Sequence, residues 1–228
     1  MDFGQAFTYI FKDEEWIKKV LLGIVLSIVP IFGQLALTGY IIVVIRNVKA
    51  NDPRPLPDWN EIGQYFMDGL KLFVVSLIYS LPALILACPA MLVGFLPAFL
   101  PLLAGDEPRM ALALTGISTI LILALSLLPM LYSFFLTFLS PVLLIRLAET
   151  GEISDCLRFK EVMRFAFANI GPLIIALLVV SAAALIIVAP TAMLTLGLST
   201  LPLTVWLQLV FGHLCGQIAR KVAQPAAI

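Results

Sequence analysis

The side chains best suited to chemistry lie near the end of the chain at helical spacing. His213 is the only histidine, with Gln208 and Gln217 nearby in the same run. An imidazole inside an apolar helix can carry protons, bind a metal or hydrogen-bond a neighbouring helix. The hydrogen-bonding role is the one expected. Zinc would need several more ligands, even with Cys215 and Cys88 drawn in from separate helices. Gln34 follows Pro30 and Gly33, where its amide can satisfy backbone carbonyls or line a polar pathway. Arg146, Glu149 and Glu152 form a charged group at a helix exit. Arg146 and Glu149 are one turn apart, so a local pair is expected, and a lipid headgroup is a further partner for Arg146. Asn169 opens the turn Asn169-Ile170-Gly171-Pro172. Gly212-x-x-x-Gly216 and Ala90-x-x-x-Gly94 offer small-residue faces for close helix packing, within one chain or by self-association.

No reaction motif accompanies these residues. The chain has no G-x-S-x-G, H-E-x-x-H or G-x-x-x-x-G-K-[ST], and no aspartate within an apolar run. Serine and threonine without a base do not make a nucleophile. No catalytic, cofactor or metal site is therefore predicted. Cys88, Cys156 and Cys215 are scattered and odd in number, as small packing residues rather than a disulfide framework.

The elements that must position these side chains follow from where charge is missing. No Asp, Glu, Lys or Arg occurs over 20–45, 72–105, 110–145 or 165–219. Each run can cross a hydrocarbon core of about 30 Å, which takes about 20 helical residues. With 61% hydrophobic and 12% charged residues, the chain is too apolar for a water-soluble domain. Backbone groups in lipid must be satisfied internally, which selects helices here, since no run alternates as a barrel strand would. The predicted fold class is all-α: a polytopic helical membrane protein with about four full spans, a broken N-terminal membrane segment and interfacial amphipathic helices. The formal net charge of zero suggests no nucleic-acid partner. The acidic opening residues do not resemble a signal peptide, so an uncleaved N-terminus is expected.

Within one integral domain over 1–228, residues 2–19 form an interfacial helix. The segment 20–45 is interrupted at Pro30-Ile31-Phe32-Gly33-Gln34, which leaves two readings: one kinked span, or a re-entrant hairpin of two half-helices. Charge favours the hairpin. It places Lys12, Lys18 and Lys19 with every other Lys and Arg except Arg109 on the cytoplasmic side, as the positive-inside rule asks. Residues 46–57 are a proline-rich loop. Asp58 and Glu61 look like a capping pair for an amphipathic helix that continues into a span, together 58–96, with Trp59, Ile62, Phe66, Leu70 and Phe73 on its apolar face. The segment 95–108 is an outer connection. A long kinked span follows over 110–146, then an amphipathic helix plus span over 153–190, and a last span over 203–219 before Arg220-Lys221. Charged amphipathic helices thus precede membrane segments three times, more simply as a habit of interfacial helices than as a true repeat.

Several stretches carry a resemblance: FKDEEWIKK (11–19), PIFGQ with Gly39-Tyr40 (30–40), RPLPDW (54–59), FMDGLKLF (66–73), RLAETGEISDCLRF (146–159), Asn169-Ile170-Gly171 and HLCGQIAR (213–220). Through them the chain resembles an uncharacterised family of small prokaryotic multi-pass membrane proteins, known only as a domain of unknown function. The resemblance implies a helical membrane protein of the prokaryotic cytoplasmic (inner) membrane, and no catalytic residues to carry over. The expected role is non-enzymatic: a scaffold, assembly or membrane-organising factor with lipids or membrane proteins as partners. The alternative is a small transporter or channel using a polar pathway near His213 and Gln34.

Overall fold

The computed structural model describes residues 1–99 and 107–223. Residues 100–106 of the expected outer connection over 95–108 fall outside them, as do the terminal residues 224–228. All regular structure among the described residues is helical, and four helical stretches are long and apolar enough to cross a membrane: Trp59–Phe99, Pro108–Thr150, Ile170–Leu194 and Thr200–Ala223. The chain forms two compact units, one of Met1–Val75 with Phe138–Ile228 and the other of Ser76–Thr137.

The larger unit begins with α1 (Phe3–Thr8), whose N-cap Asp2 accepts from the Gln5 backbone N–H, and a 3₁₀ turn over Tyr9–Lys12. Helices α2 (Trp16–Ile28) and α3 (Phe32–Lys49) then form an antiparallel hairpin around Pro30. Their approach is close because Gly33 has no side chain: a Cβ there would lie 1.7 Å from the Leu26 carbonyl oxygen. The turn also satisfies much of its own backbone. Val29, Phe32 and Gly33 donate to Leu26, Pro30 and Val29, and Pro30 has no N–H to satisfy. At 13 residues, α2 is about 20 Å long, too short to cross a bilayer. It nevertheless exposes Ile17, Leu21, Val25 and Ile28.

Helix α3 is the centre of this unit. Its run from Leu35 to Val48 is apolar on nearly every side and largely buried, as expected of a helix enclosed by others. A 3₁₀ turn over Trp59–Glu61 leads into α4 (Ile62–Gly94). Trp59 stacks on Tyr40 with ring centroids 4.1 Å apart and donates its indole N–H to the Lys19 carbonyl. Helices α3 and α4 meet backbone to backbone. A Cβ at Gly39 would lie 1.7 Å from the Tyr65 carbonyl oxygen, and one at Gly69 would lie 1.9 Å from that of Leu35.

Two sequence expectations change here. Asp58 makes no cap bond and instead pairs with Lys19. The inward face of α4 carries Tyr65, Asp68, Leu72 and Val75, while Phe73 is exposed. A helix that meets lipid can turn phenylalanine outward and keep its carboxylate for the protein interior, the inverse of the water-soluble pattern.

Helix α5 (Pro108–Thr150) belongs to the larger unit from Phe138 onward, and α6 (Ile153–Cys156) and α7 (Phe159–Ala168) follow. Helix α8 (Ile170–Ala183) passes through a π turn over Ala184–Val188 into α9 (Ala189–Leu194). Pro190 explains the π turn, because its ring cannot donate to the preceding turn and crowds the carbonyl there. Leu196 and Gly197 have positive φ and reverse the chain, and α10 (Thr200–Ala223) runs back beside α3. In the smaller unit, the Tyr132 hydroxyl donates to the Tyr79 carbonyl at 3.0 Å, next to the carbonyl deprived of its partner by Pro82.

Candidate functional site

Helix α10 places two kinds of residue on adjacent faces, about 100° apart around its axis. Gly212 and Gly216 lie against α3: a Cβ at Gly212 would sit 2.8 Å from Ile41 Cγ2, and one at Gly216 would sit 2.6 Å from Val48 Cβ. The small-residue face expected from the sequence is thus an intrachain contact. His213 and Gln217, one turn apart, face the N-terminal segment instead.

The resulting cluster is a clasp. The Gln217 Oε1 accepts from the Asp2 backbone N–H at 2.7 Å, and its Nε2 donates to the Asp2 carbonyl at 2.8 Å. The same Nε2 is 3.1 Å from His213 Nδ1. An amide nitrogen has only hydrogens to offer, so His213 Nδ1 is the acceptor and the ring is a neutral imidazole with its proton on Nε2. Tyr9 covers the ring with centroids 4.4 Å apart and donates its hydroxyl to the Leu209 carbonyl. Burial holds the Tyr9 phenol well above the ordinary tyrosine range, so it remains a donor. Gln208 is half-buried and takes no part in this cluster.

Beside the clasp is a pocket of about 220 Å³ lined by Gln5, Lys12, Asn51, Asp52, His213 and Arg220. Arg220 donates to the Asn51 side-chain carbonyl, and Asp52 accepts from the Arg54 backbone N–H. The pocket holds charges but no activated nucleophile. Cys215, on the same helix, is fully buried. Among the described residues no three His, Cys, Asp or Glu side chains converge as a metal site.

The other sequence candidates lie elsewhere. Gln34 Nε2 donates to the Ser27 carbonyl at 3.3 Å, tying the hairpin across its turn. Between Gln34 and the His213 clasp, α3 and α10 fill the interior with Leu37, Ile41, Ile42, Leu209 and Val210, all buried. Asn169 donates to the Phe165 carbonyl at the junction of α7 and α8.

The expected Arg146–Glu149 pair does not form. Arg146 reaches Glu161 at 2.7 Å, and Glu149 accepts from Lys49 at 2.7 Å. Helical spacing permitted the local pair, but α7 and α3 bring better-placed partners from outside the helix. The Arg146 hydrogen bond holds the Glu161 carboxyl below its usual range.

Sequence reasoning missed two further nodes. Asp68, buried on α4, accepts from Arg46 at 2.7 Å, while Arg46 also donates to the Ala148 carbonyl at 3.0 Å. Lys19 contacts Asp13 at 2.8 Å, Asp58 at 3.0 Å and the Leu56 carbonyl at 3.0 Å. Burial works against the Lys19 charge, but its carboxylate partners outweigh it and hold the ammonium above the ordinary lysine value. Only the position of Lys19 at the edge of a charge-free run could have flagged it.

A sequence family described as protein of unknown function (DUF4013) matches residues 22–196. That stretch runs from α2 to the turn after α9, so Asp2, His213 and Gln217 lie outside it, as do FKDEEWIKK and HLCGQIAR. No curated protein and no solved structure matches the chain.

Proposed function

The chain belongs to that family, whose match covers most of its length, and we propose that it is a non-enzymatic scaffold, assembly or membrane-organising factor of the prokaryotic cytoplasmic membrane. It works through lipids or other membrane proteins. The observation that carries this reading is that most of the polar groups a transporter would use are bonded within the chain. His213 Nδ1 and both ends of the Gln217 amide are spent on the Asp2 clasp, and Gln34 is spent on Ser27. The surfaces left over suit lipid or partner helices. Only 6% of the most apolar stretch of α5 is buried, against 61% for α10.

In this reading the charged ends of α3, α4, α5 and α10 lie on the cytoplasmic side together with both termini. The α2–α3 hairpin enters and leaves the same leaflet. Its short α2, exposed apolar side chains and internally bonded turn support that placement.

Vesicles reconstituted with the purified chain and loaded with a pH-sensitive dye test the reading against transport. The expected result is proton leakage no faster than in protein-free vesicles, for the parent and for His213→Gln alike. His213→Gln should also assemble normally, because an amide can accept the Gln217 hydrogen bond, whereas His213→Leu should cost about 1 kcal/mol. A proton flux present in the parent and abolished in a folded His213→Gln protein would replace the scaffold reading with transport.

A further inference from the structure

A groove separate from the His213 pocket lies where the start of α8 meets the end of α10. Its volume is about 280 Å³, and Phe3, Pro172, Ile175, Ile218 and Val222 give it an apolar lining, with Asn169 and Lys221 as its polar members. Ligand pockets for whole soluble molecules begin at about 300 Å³, so this groove suits one segment of a chain-like ligand. Phe3, Ile175 and Val222 are each more than a third exposed, which leaves the groove open along its side.

The depth of the groove follows from the sequence. The charge-free run of 165–219 begins just before Asn169 and ends just before Arg220-Lys221. The groove therefore joins the two ends of that run, at the level where apolar helices give way to charge. Its mouth continues into a second hollow lined by Asp2, Gln217, Arg220 and Lys221. Gln217 has no donor left for a ligand there. Asp2 is committed as the N-cap of α1. Arg220 spends one of five N–H donors on Asn51, a neutral amide that leaves its charge uncompensated. Among the described residues neither Arg220 nor Lys221 forms an ion pair, so two side-chain cations face one carboxylate at the mouth.

We propose that an anionic phospholipid occupies this groove, with an acyl chain along Phe3, Pro172, Ile175, Ile218 and Val222 and its phosphate at Arg220 and Lys221. An apolar channel explains the chain, the cationic mouth explains the charge, and their meeting at the membrane boundary requires both in one ligand. The inference rests on the reading of this chain as a protein that works through lipid and supplies the class of lipid.

The test incubates the full chain with vesicles of equal phosphatidylglycerol and phosphatidylcholine content and identical acyl chains. Lipid retained after purification is then counted by native mass spectrometry. The parent should retain phosphatidylglycerol in excess. Arg220→Gln and Lys221→Gln should each lower that preference about fivefold with the helical circular dichroism unchanged. Ile175→Trp, at a half-exposed position, should fill the groove and reduce retention of both lipids. Inorganic phosphate should not displace the bound lipid. Retention in the bulk ratio, retention unaffected by Ile175→Trp, or displacement by inorganic phosphate would each overturn the proposal. None of these results bears on the proton-leak measurement, so the lipid site and the scaffold reading fail separately.

Discussion

Gly39→Ala is expected to remove most of the folded protein, at a cost of about 3 kcal/mol or more. The added methyl would lie 1.7 Å from the Tyr65 carbonyl oxygen. That oxygen belongs to backbone, so no rotamer change can relieve the clash. Helix α4 would have to move, and with it the matching contact between Gly69 and the Leu35 backbone. Gly69→Ala should therefore behave like Gly39→Ala, and the double variant should cost less than the sum, because one separation of the helices relieves both clashes. Gly63 provides the control. It lies in α4, as Gly69 does, with nothing within 4 Å of its missing Cβ, so Gly63→Ala should be neutral or stabilise by about 0.5 kcal/mol. Unfolding of the purified variants in mixed micelles, followed by helical circular dichroism, measures all four. Equal stability of Gly39→Ala and Gly63→Ala would mean that α3 and α4 do not meet as described.

The second large effect is expected at Asp68. Its carboxylate is buried, and its partner Arg46 has a side chain only 30% exposed. Removing one member of a buried pair leaves an uncompensated charge and costs about 3–5 kcal/mol. The partial exposure of Arg46 and its remaining bond to Ala148 reduce the expectation for Asp68→Ala to about 2–3 kcal/mol. Asp68→Asn should lose less, because its amide oxygen still accepts a hydrogen bond. Combining Asp68→Leu with Arg46→Met should recover much of the loss by removing both charges together. The same unfolding assay decides it, with exposed Glu61→Ala as the reference. A loss at Asp68→Ala no greater than at Glu61→Ala would contradict the buried pair.

These two sites also show how far the sequence was legible. Runs without charge announced membrane-length helices, because a bilayer excludes ionised side chains whatever their neighbours. Pro30 and Gly33 announced a break in the first run, and Gly212 with Gly216 announced a close helix contact. Each is a local property. The partners were not local. Gly39 and Gly69 stood in stretches already noticed, PIFGQ with Gly39-Tyr40 and FMDGLKLF, yet nothing in either indicates that it crosses the other. A rule suited to water gives the inner face of this helix to Trp59, Ile62, Phe66, Leu70 and Phe73, which leaves Asp68 on the polar, outward side. Lipid around the helix reverses that rule, and the carboxylate turns inward to Arg46. The His213 clasp joins Gln217 to Asp2 across 215 positions, a closure that spacing along the chain cannot reveal.

The proposed topology puts the charged helix ends on one side of the membrane, with a hairpin that does not cross. Single cysteines in a cysteine-free background, challenged in intact cells with a membrane-impermeant maleimide, test this most directly. Positions Thr8, Ala50 and Glu152 should be protected until the cells are opened. Glu107 and Leu198, at the far ends of the spans, should react from outside. Protection at position 8 together with position 50 is the result expected of a hairpin, since α2 and α3 then return the chain to the side it left. Reaction of position 8 from outside while position 50 stays protected would make 20–45 a crossing segment and contradict the account.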